Sequence, residues 1–413
     1  MFLKPAAATL KRVSLSTMLC ALLASCGGDT LLSSGGIGGS GISSGTSIGM
    51  ITGFGSIWVN GVRYDVSNAH FSRDGFSNVT QSDYRLGEIV TIHGSVNADG
   101  VSGVADSVEF DDVLEGTISQ VNTDGTTIHV LGETVLTDSR TILHGFATLA
   151  ALQPGNVVEI SGYRIASEIR ATSITLKQTS FTPSQSVLEI KGTISNVDLT
   201  AQTFSLGQWI VEYSGASLSL INNTPQNGDY VEVKSTQAIQ GNRLIATEVE
   251  LEDEYPTFEV DQEVELEGFV TTYTSDLQFS VNGQPIMTNN STRFEYGTSA
   301  DIKLNSLLEV EGNINASGVL IATEVSIKQS DSDSDTQSEL EGLILNIDQS
   351  SRTLILGTST VVVDNNTLIT EEVDESYISL SFEDLRVNDD IEVYGSRMSD
   401  GRILALSIER EQD

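Results

Sequence analysis

The segment Leu114-Glu115-Gly116-Thr117-Ile118-Ser119-Gln120-Val121 returns along the chain, and that return constrains the fold more than any other feature. It reappears as Ile190-Lys191-Gly192-Thr193-Ile194-Ser195-Asn196-Val197, as Leu266-Glu267-Gly268-Phe269-Val270 and as Leu340-Glu341-Gly342-Leu343-Ile344-Leu345-Asn346-Ile347, with the glycines stepping by 76, 76 and 74 residues. A period of that length means one supersecondary unit built over and over. At 413 residues the chain is also too long for one ordinary core.

Each unit carries five strand signals. In the first strand the apolar positions run Leu114, Gly116, Ile118 and then slip to Val121. A glycine with a phase slip reads as a bulge or sharp coil, which lets one strand serve both halves of a small barrel. A second strand ends at Gly132, Gly207, Gly283 or Gly357, and a third follows at once, which is a hairpin signal. An irregular segment comes next, in which 147–152 and Phe382-Glu383-Asp384-Leu385 suit one or two helical turns. The fourth strand alternates most clearly, as in Val157-Val158-Glu159-Ile160-Ser161-Gly162 and Leu308-Glu309-Val310-Glu311-Gly312. That pattern places apolar residues inward and glutamates toward solvent. The fifth strand, as in Leu320-Ile321-Ala322-Thr323-Glu324-Val325, repeats an alanine where a small barrel needs a small inward residue. A divergent first unit compresses strands one to three into 51–65 and shares the hairpin glycine at Gly61.

These signals predict an all-β fold: a tandem array of five small five-stranded OB-like barrels, with short helical turns before strand four. A plain five-stranded antiparallel roll is the alternative. The repeats are expected at 49–112, 113–178, 188–253, 263–329 and 338–411. Units of roughly 70 residues are marginal alone, so neighbours are expected to pack together or share an edge strand.

The N-terminus reads as an address. Lys4, Lys11 and Arg12 precede a short apolar run over 13–23, too short to span a bilayer. The run ends in Leu23-Ala24-Ser25-Cys26, which resembles the bacterial lipobox. That resemblance implies a signal peptide at 1–25 and a lipid on Cys26. Gly27 at the next position, rather than aspartate, implies the outer membrane. The other cysteine, Cys20, would leave with the signal, so no thiol remains for a disulfide, a nucleophile or a soft metal. Residues 26–48 read as a Gly/Ser tether. Gly36-Ile37-Gly38-Gly39-Ser40-Gly41 and Gly45-Thr46-Ser47-Ile48-Gly49 match dinucleotide and hydrolase motifs in letters only. Both motifs require a strand before and a helix after.

The net charge of −36 excludes nucleic acid, whose binding depends on Lys and Arg displacing counterions. His70, His93, His129 and His144 show no metal-ligand spacing. Asp331-Ser332-Asp333-Ser334-Asp335 opens like a calcium loop, but Thr336 and Gly342 stand where Gly and Glu are needed. Between Glu248 and Glu267 lie ten carboxylates and no Lys or Arg, on what read as solvent-facing strand positions. Trp58 and Trp209 sit at non-equivalent places, which argues against a stacking platform repeated in each unit.

The tether, then Ile51-Thr52-Gly53-Phe54-Gly55-Ser56-Ile57-Trp58-Val59-Asn60-Gly61-Val62-Arg63-Tyr64-Asp65, then the fourth strand ending at Gly94, resemble bacterial envelope lipoproteins built from an uncharacterised OB-like repeat domain. The resemblance implies a fold and a location and supplies no active site. The expectation is a non-enzymatic outer-membrane lipoprotein with a structural or interaction role. It needs no cofactor, metal or catalytic residue, it meets the membrane through Cys26, and its expected partner is an envelope protein or glycan. The alternative is an extracytoplasmic binding module for glycan or divalent cations such as calcium.

Overall fold

The computed structural model describes residues 45–410, other than 55, 99, 124, 139, 329–336, 358, 365–366, 374–375 and 399–401. Among these the fold is all-β, in three hydrogen-bonded sheets of 12, 13 and 7 strands. Helical structure is confined to single 3-10 turns, one ahead of each fourth strand: Gln81–Asp83, Leu149–Ala151, Ile221–Asn223, Ser299–Asp301 and Phe382–Asp384. Thr80, Thr298 and Ser381 close a capping box with the aspartate three residues on.

In the second unit Leu114–Val121 pairs with Thr127–Val130, which pairs with Glu133–Leu136. Glu133–Leu136 lies parallel to Glu168–Gln178, which turns back along Val157–Ile165. Val157–Ile165 then returns to Leu114–Val121. The circuit therefore runs one, two, three, five, four and back to one. The same circuit closes from Glu263–Ser275 to Leu320–Lys328 and from Gln337–Asp348 to Ile403–Arg410, which makes three five-stranded barrels. The strands from Gly45–Gly53 to Ser102–Phe110 follow the same pairings. So do those from Leu188–Asp198 onward, except that the fifth strand is broken into Arg243–Ile245 and Glu248–Leu251.

Two expectations need correction. The first strand begins at Gly45, inside the stretch read as tether. Thr46, Ser47 and Ile48 are buried because this strand is bonded on both edges, to Ile89–Val96 and to Glu263–Ser275. The irregular segment after strand three also contains a short strand parallel to strand five: His70–Arg73, Ile142–His144, Ser217–Ser219, Arg293–Glu295 or Leu368–Val373. Most are three or four residues long, too short for an alternation to register.

Glycine enters where backbones come too close for a Cβ. Gly94, Gly162, Gly312 and Gly395 stand at the bulge of strand four against strand five. A Cβ at Gly312 would run into the carbonyl oxygen of Ile321, and at Gly94 into that of Val104. The third unit has Ser235 at this point, bonded through Oγ to the Ile245 carbonyl at 2.6 Å, and its fifth strand is the broken one. The repeat glycine of strand one has another task. At Gly116 a Cβ would collide with Leu131, and at Gly268 with Asn282, the residues that open the hairpin turn. Leu131 and Asn282 both take φ of 47°, with Gly132 and Gly283 following at 81° and 80°, the conformation of a type I′ turn.

First strands also join units. Gly45–Gly53 runs parallel to Glu263–Ser275, placing Ile48 opposite Leu266. Leu114–Val121 meets Leu188–Asp198 antiparallel, placing Glu115 opposite Glu189 and Leu114 opposite Ile190. One apolar cluster accordingly runs through both units of that second seam, from Leu114 and Ile160 to Ile190 and Val233. Gly312→Ala is expected to destabilise by about 1–3 kcal/mol, the usual cost of overpacking. Gly215→Ala, where nothing lies within 4 Å of the new Cβ, should be near neutral. Denaturant titration of both variants checks this.

Candidate functional site

Joining barrels through their first strands turns outer faces toward each other. The glutamates of strands one and four, read from sequence as solvent-facing, are therefore buried: Glu115 is 7% exposed, Glu159 2%, Glu189 3% and Glu232 3%. Like charges directly opposite each other in a sheet repel. Each acid here accordingly has a cation. Lys177 reaches Glu159 at 2.5 Å and Glu115 at 3.4 Å. Lys191 pairs with Asp111 and, at 3.1 Å, with Glu232. Lys234 lies 3.0 Å from Glu232 and 3.3 Å from Glu189.

The first unit adds Arg73, at the end of a short parallel strand that packs on strand five. Its guanidinium grips both oxygens of Glu88, at 2.8 and 3.0 Å, and reaches across to Glu159 Oε1 at 2.6 Å. Its flat face rests 4.0 Å from the centre of the Phe110 ring. Three units thus converge on one charged junction. The Ile89 N–H donating to Ser161 Oγ at 2.8 Å helps to hold it closed.

Acids exceed cations at its centre. Asp112 is 1% exposed, and neither carboxylate oxygen has a hydrogen-bond partner. Its backbone N–H donates to Asp74 Oδ1 at 3.1 Å, which fixes the two side by side. Oxygens of Asp74, Asp112 and Glu159 lie within 4.8 Å of one another, and so do oxygens of Asp74, Asp111 and Glu189. A further group joins Glu232, Glu250 and Glu252. These are the described residues able to hold a metal ion, and all their ligand atoms are hard carboxylate oxygens.

Burial, then the charges of Asp74 and Glu159, pushes the Asp112 carboxyl well up. Burial, then Asp112, does the same to Glu189. Burial raises Glu115 to about 7 against the opposing pull of Lys177. Burial opposes ionisation of Glu232 too, but the hydrogen bond from Glu189 and the charges of Lys191 and Lys234 hold it at about 2.

A second feature is a cavity of about 140 Å³ where the first, second, fourth and fifth units meet. Small-ligand sites generally offer at least ~300 Å³. Several of its charged wall residues are engaged: Arg140 with Asp364 at 2.7 Å, Lys328 with Glu309 at 2.8 Å, and Glu267 accepting from Tyr163 Oη at 2.8 Å.

The structure scatters the residues singled out from sequence. His93 bonds Thr46 at 2.9 Å, His129 lies 3.4 Å from Thr134, His144 lies 2.8 Å from the Leu86 carbonyl, and His70 is exposed. Trp58 is 2% exposed and offers no stacking face, and Trp209 is half-buried with Nε1 donating to the Leu131 carbonyl at 2.8 Å. Ser47 is a buried strand residue donating to Glu265 at 2.5 Å. Of the ten-carboxylate stretch, Glu265 is buried and Glu250 and Glu252 meet Glu232. Cys26, the glycine motif at 36–41 and Asp331 to Asp335 lie outside the described residues. Sequence reasoning missed Arg73, Asp74 and Asp112, because they sit in or beside loops and belong to no repeat pattern.

Arg73→Met is expected to cost about 3–5 kcal/mol, because Glu88 would remain buried without its bidentate partner and Glu159 would keep only Lys177. Urea titration of this variant checks it. Between pH 4.5 and about 7 the folded chain keeps protons on Glu115 that the unfolded chain has released. Stability from such raised carboxyls therefore falls as pH rises across that window. The melting temperature should be several degrees lower at pH 8 than at pH 5.5, as calorimetry would read.

No curated protein shows significant similarity to the chain. Among solved structures, a chain titled "drosophila Unr CSD456" aligns with 52% of this chain and 97% of its own at 17% identity and a TM-score of 0.13, too low to carry any inference. Residues 115–175, 191–250, 267–326 and 341–409 each match a domain described as "Domain of unknown function (DUF5666)". These four matches cover more than half of the chain, which therefore belongs to the DUF5666 family.

Proposed function

We propose that this chain is a non-enzymatic lipoprotein of the outer bacterial envelope, presenting five OB-like barrels as one rigid structural or interaction body. The observation that carries the reading is the use made of first strands. Gly45–Gly53 with Glu263–Ser275, and Leu114–Val121 with Leu188–Asp198, continue sheets from one unit into the next. Charged side chains join units in the same way, Arg73 to Glu159 and Arg140 to Asp364. The count of five rests on the one-two-three-five-four circuit, traced in the first unit and, with a broken fifth strand, in the third.

The anchor rests on Leu23-Ala24-Ser25-Cys26 after a basic and apolar run, and the outer membrane on Gly27. One thioether-linked diacylglycerol with an added acyl chain exceeds the two-signal requirement for stable anchoring. The partner would be an envelope protein or glycan. Bacteria expressing the full chain and fed an alkyne-tagged fatty acid should label it in the membrane fraction, and Cys26→Ala should lose both label and membrane association. Label or membrane retention persisting in Cys26→Ala would defeat the anchored reading.

A further inference from the structure

We propose that Asp74, Asp112 and Glu159 form a calcium site that locks the first two units together. The geometry suits the ion. Calcium takes oxygen ligands at about 2.3–2.6 Å, so two ligands on opposite sides lie roughly 4.6–5.2 Å apart. The three carboxylates bring one oxygen each within 4.8 Å of the others. A cluster of acids at a surface is commonplace, but this one is interior: Asp112 is 1% exposed and Glu159 2%.

The second observation is Asp112 itself. Buried polar groups are nearly always hydrogen-bonded, and a carboxylate with neither oxygen satisfied calls for an explanation. Both oxygens of Asp112 lack a partner, while its own N–H pins Asp74 Oδ1 beside it at 3.1 Å. The surplus of charge points the same way. Arg73 and Lys177 are engaged by Glu88, Glu115 and Glu159, and Lys191 by Asp111 and Glu232. Asp112 forms no ion pair of this kind and feels Lys191 only at longer range, while Asp74 has Arg73 Nε at 3.7 Å. A divalent ion between the two acids adds positive charge where the acids outnumber the cations.

All ligands are carboxylate oxygens, which favours calcium or magnesium over softer metals. Magnesium keeps several waters and demands octahedral geometry, whereas calcium accepts an irregular, largely dehydrated set. The burial of Asp112 and Glu159 therefore selects calcium. Asp74, with its side chain 17% exposed, forms the entrance. Arg73 and Lys177 on Glu159 temper the affinity, which belongs with extracellular modules at a Kd on the order of 10⁻⁴–10⁻³ M. The inference does not depend on the lipid anchor or on an interaction role.

The test uses the full-length chain in detergent at pH 7.5 and constant ionic strength, with its melting temperature followed as CaCl₂ rises to about 10 mM, roughly ten or more times the expected Kd. Wild type should rise by several degrees, and by less with MgCl₂. Asp112→Asn and Asp74→Asn should each weaken the response at least tenfold. The triple change Asp331→Asn, Asp333→Asn, Asp335→Asn should leave it intact. If either single variant fails to fold, the other and direct calcium calorimetry on wild type decide the matter. The proposal is overturned if wild type neither shifts nor takes up calcium. It is equally overturned if the site variants respond like wild type, or if the triple variant alone abolishes the response.

Discussion

Glu115 and Glu189 stand directly opposite one another across the seam between two units, and much of the surrounding structure serves to make that tolerable. Burying a carboxylate costs several kcal/mol even after relaxation, and two side by side cost more. The chain meets this with long cations drawn from neighbouring strands: Lys177 beside the fourth strand of its own unit, Lys191 on the first strand of the next, and Lys234 on the fourth. Arg73 does the same between the first and second units. Such pairs contribute less to stability than to uniqueness, since one register and one relative orientation of the barrels satisfies them all. That specificity role is the better attested one for buried polar networks.

The barrels are shaped by close backbone approach. Strand four bends against strand five at a bulge, and Gly94, Gly162, Gly312 and Gly395 leave room for the opposite carbonyl. The third unit is an internal comparison. Where Ser235 replaces glycine, its hydroxyl bonds the Ile245 carbonyl, and the fifth strand divides into two short pieces. One side chain at the bulge accompanies a different path for the facing strand, within an otherwise shared circuit.

Much of the single unit was legible in the chain. The phase slip after Ile118 corresponds to the register shift between Ile118 and Gln120. The hairpin glycines sit in left-handed turns, and Ala105, Ala171, Ala322 and Ala405 are buried in fifth strands. The junction was not legible. Alternation along 156–162 says only that Glu159 leaves the face occupied by Val158 and Ile160. It cannot say whether that other face meets water or another barrel. Asp74 and Asp112 carry no periodic signal, and they come together only because Asp112 N–H finds Asp74 across two loops.

By itself, then, the sequence determined the repeat, the five-strand pattern of each unit and the glycines on which its turns and bulges rely. These are local matters of period, turn chemistry and steric room, and each is written within about seventy residues. Only tertiary structure decided that Gly45–Gly53 would pair with Glu263–Ser275, more than two hundred residues away, and that glutamates on outer faces would end up inside. The physical reason is that a strand edge and a charged face specify no partner of their own. Their environment is set by whichever unit docks against them.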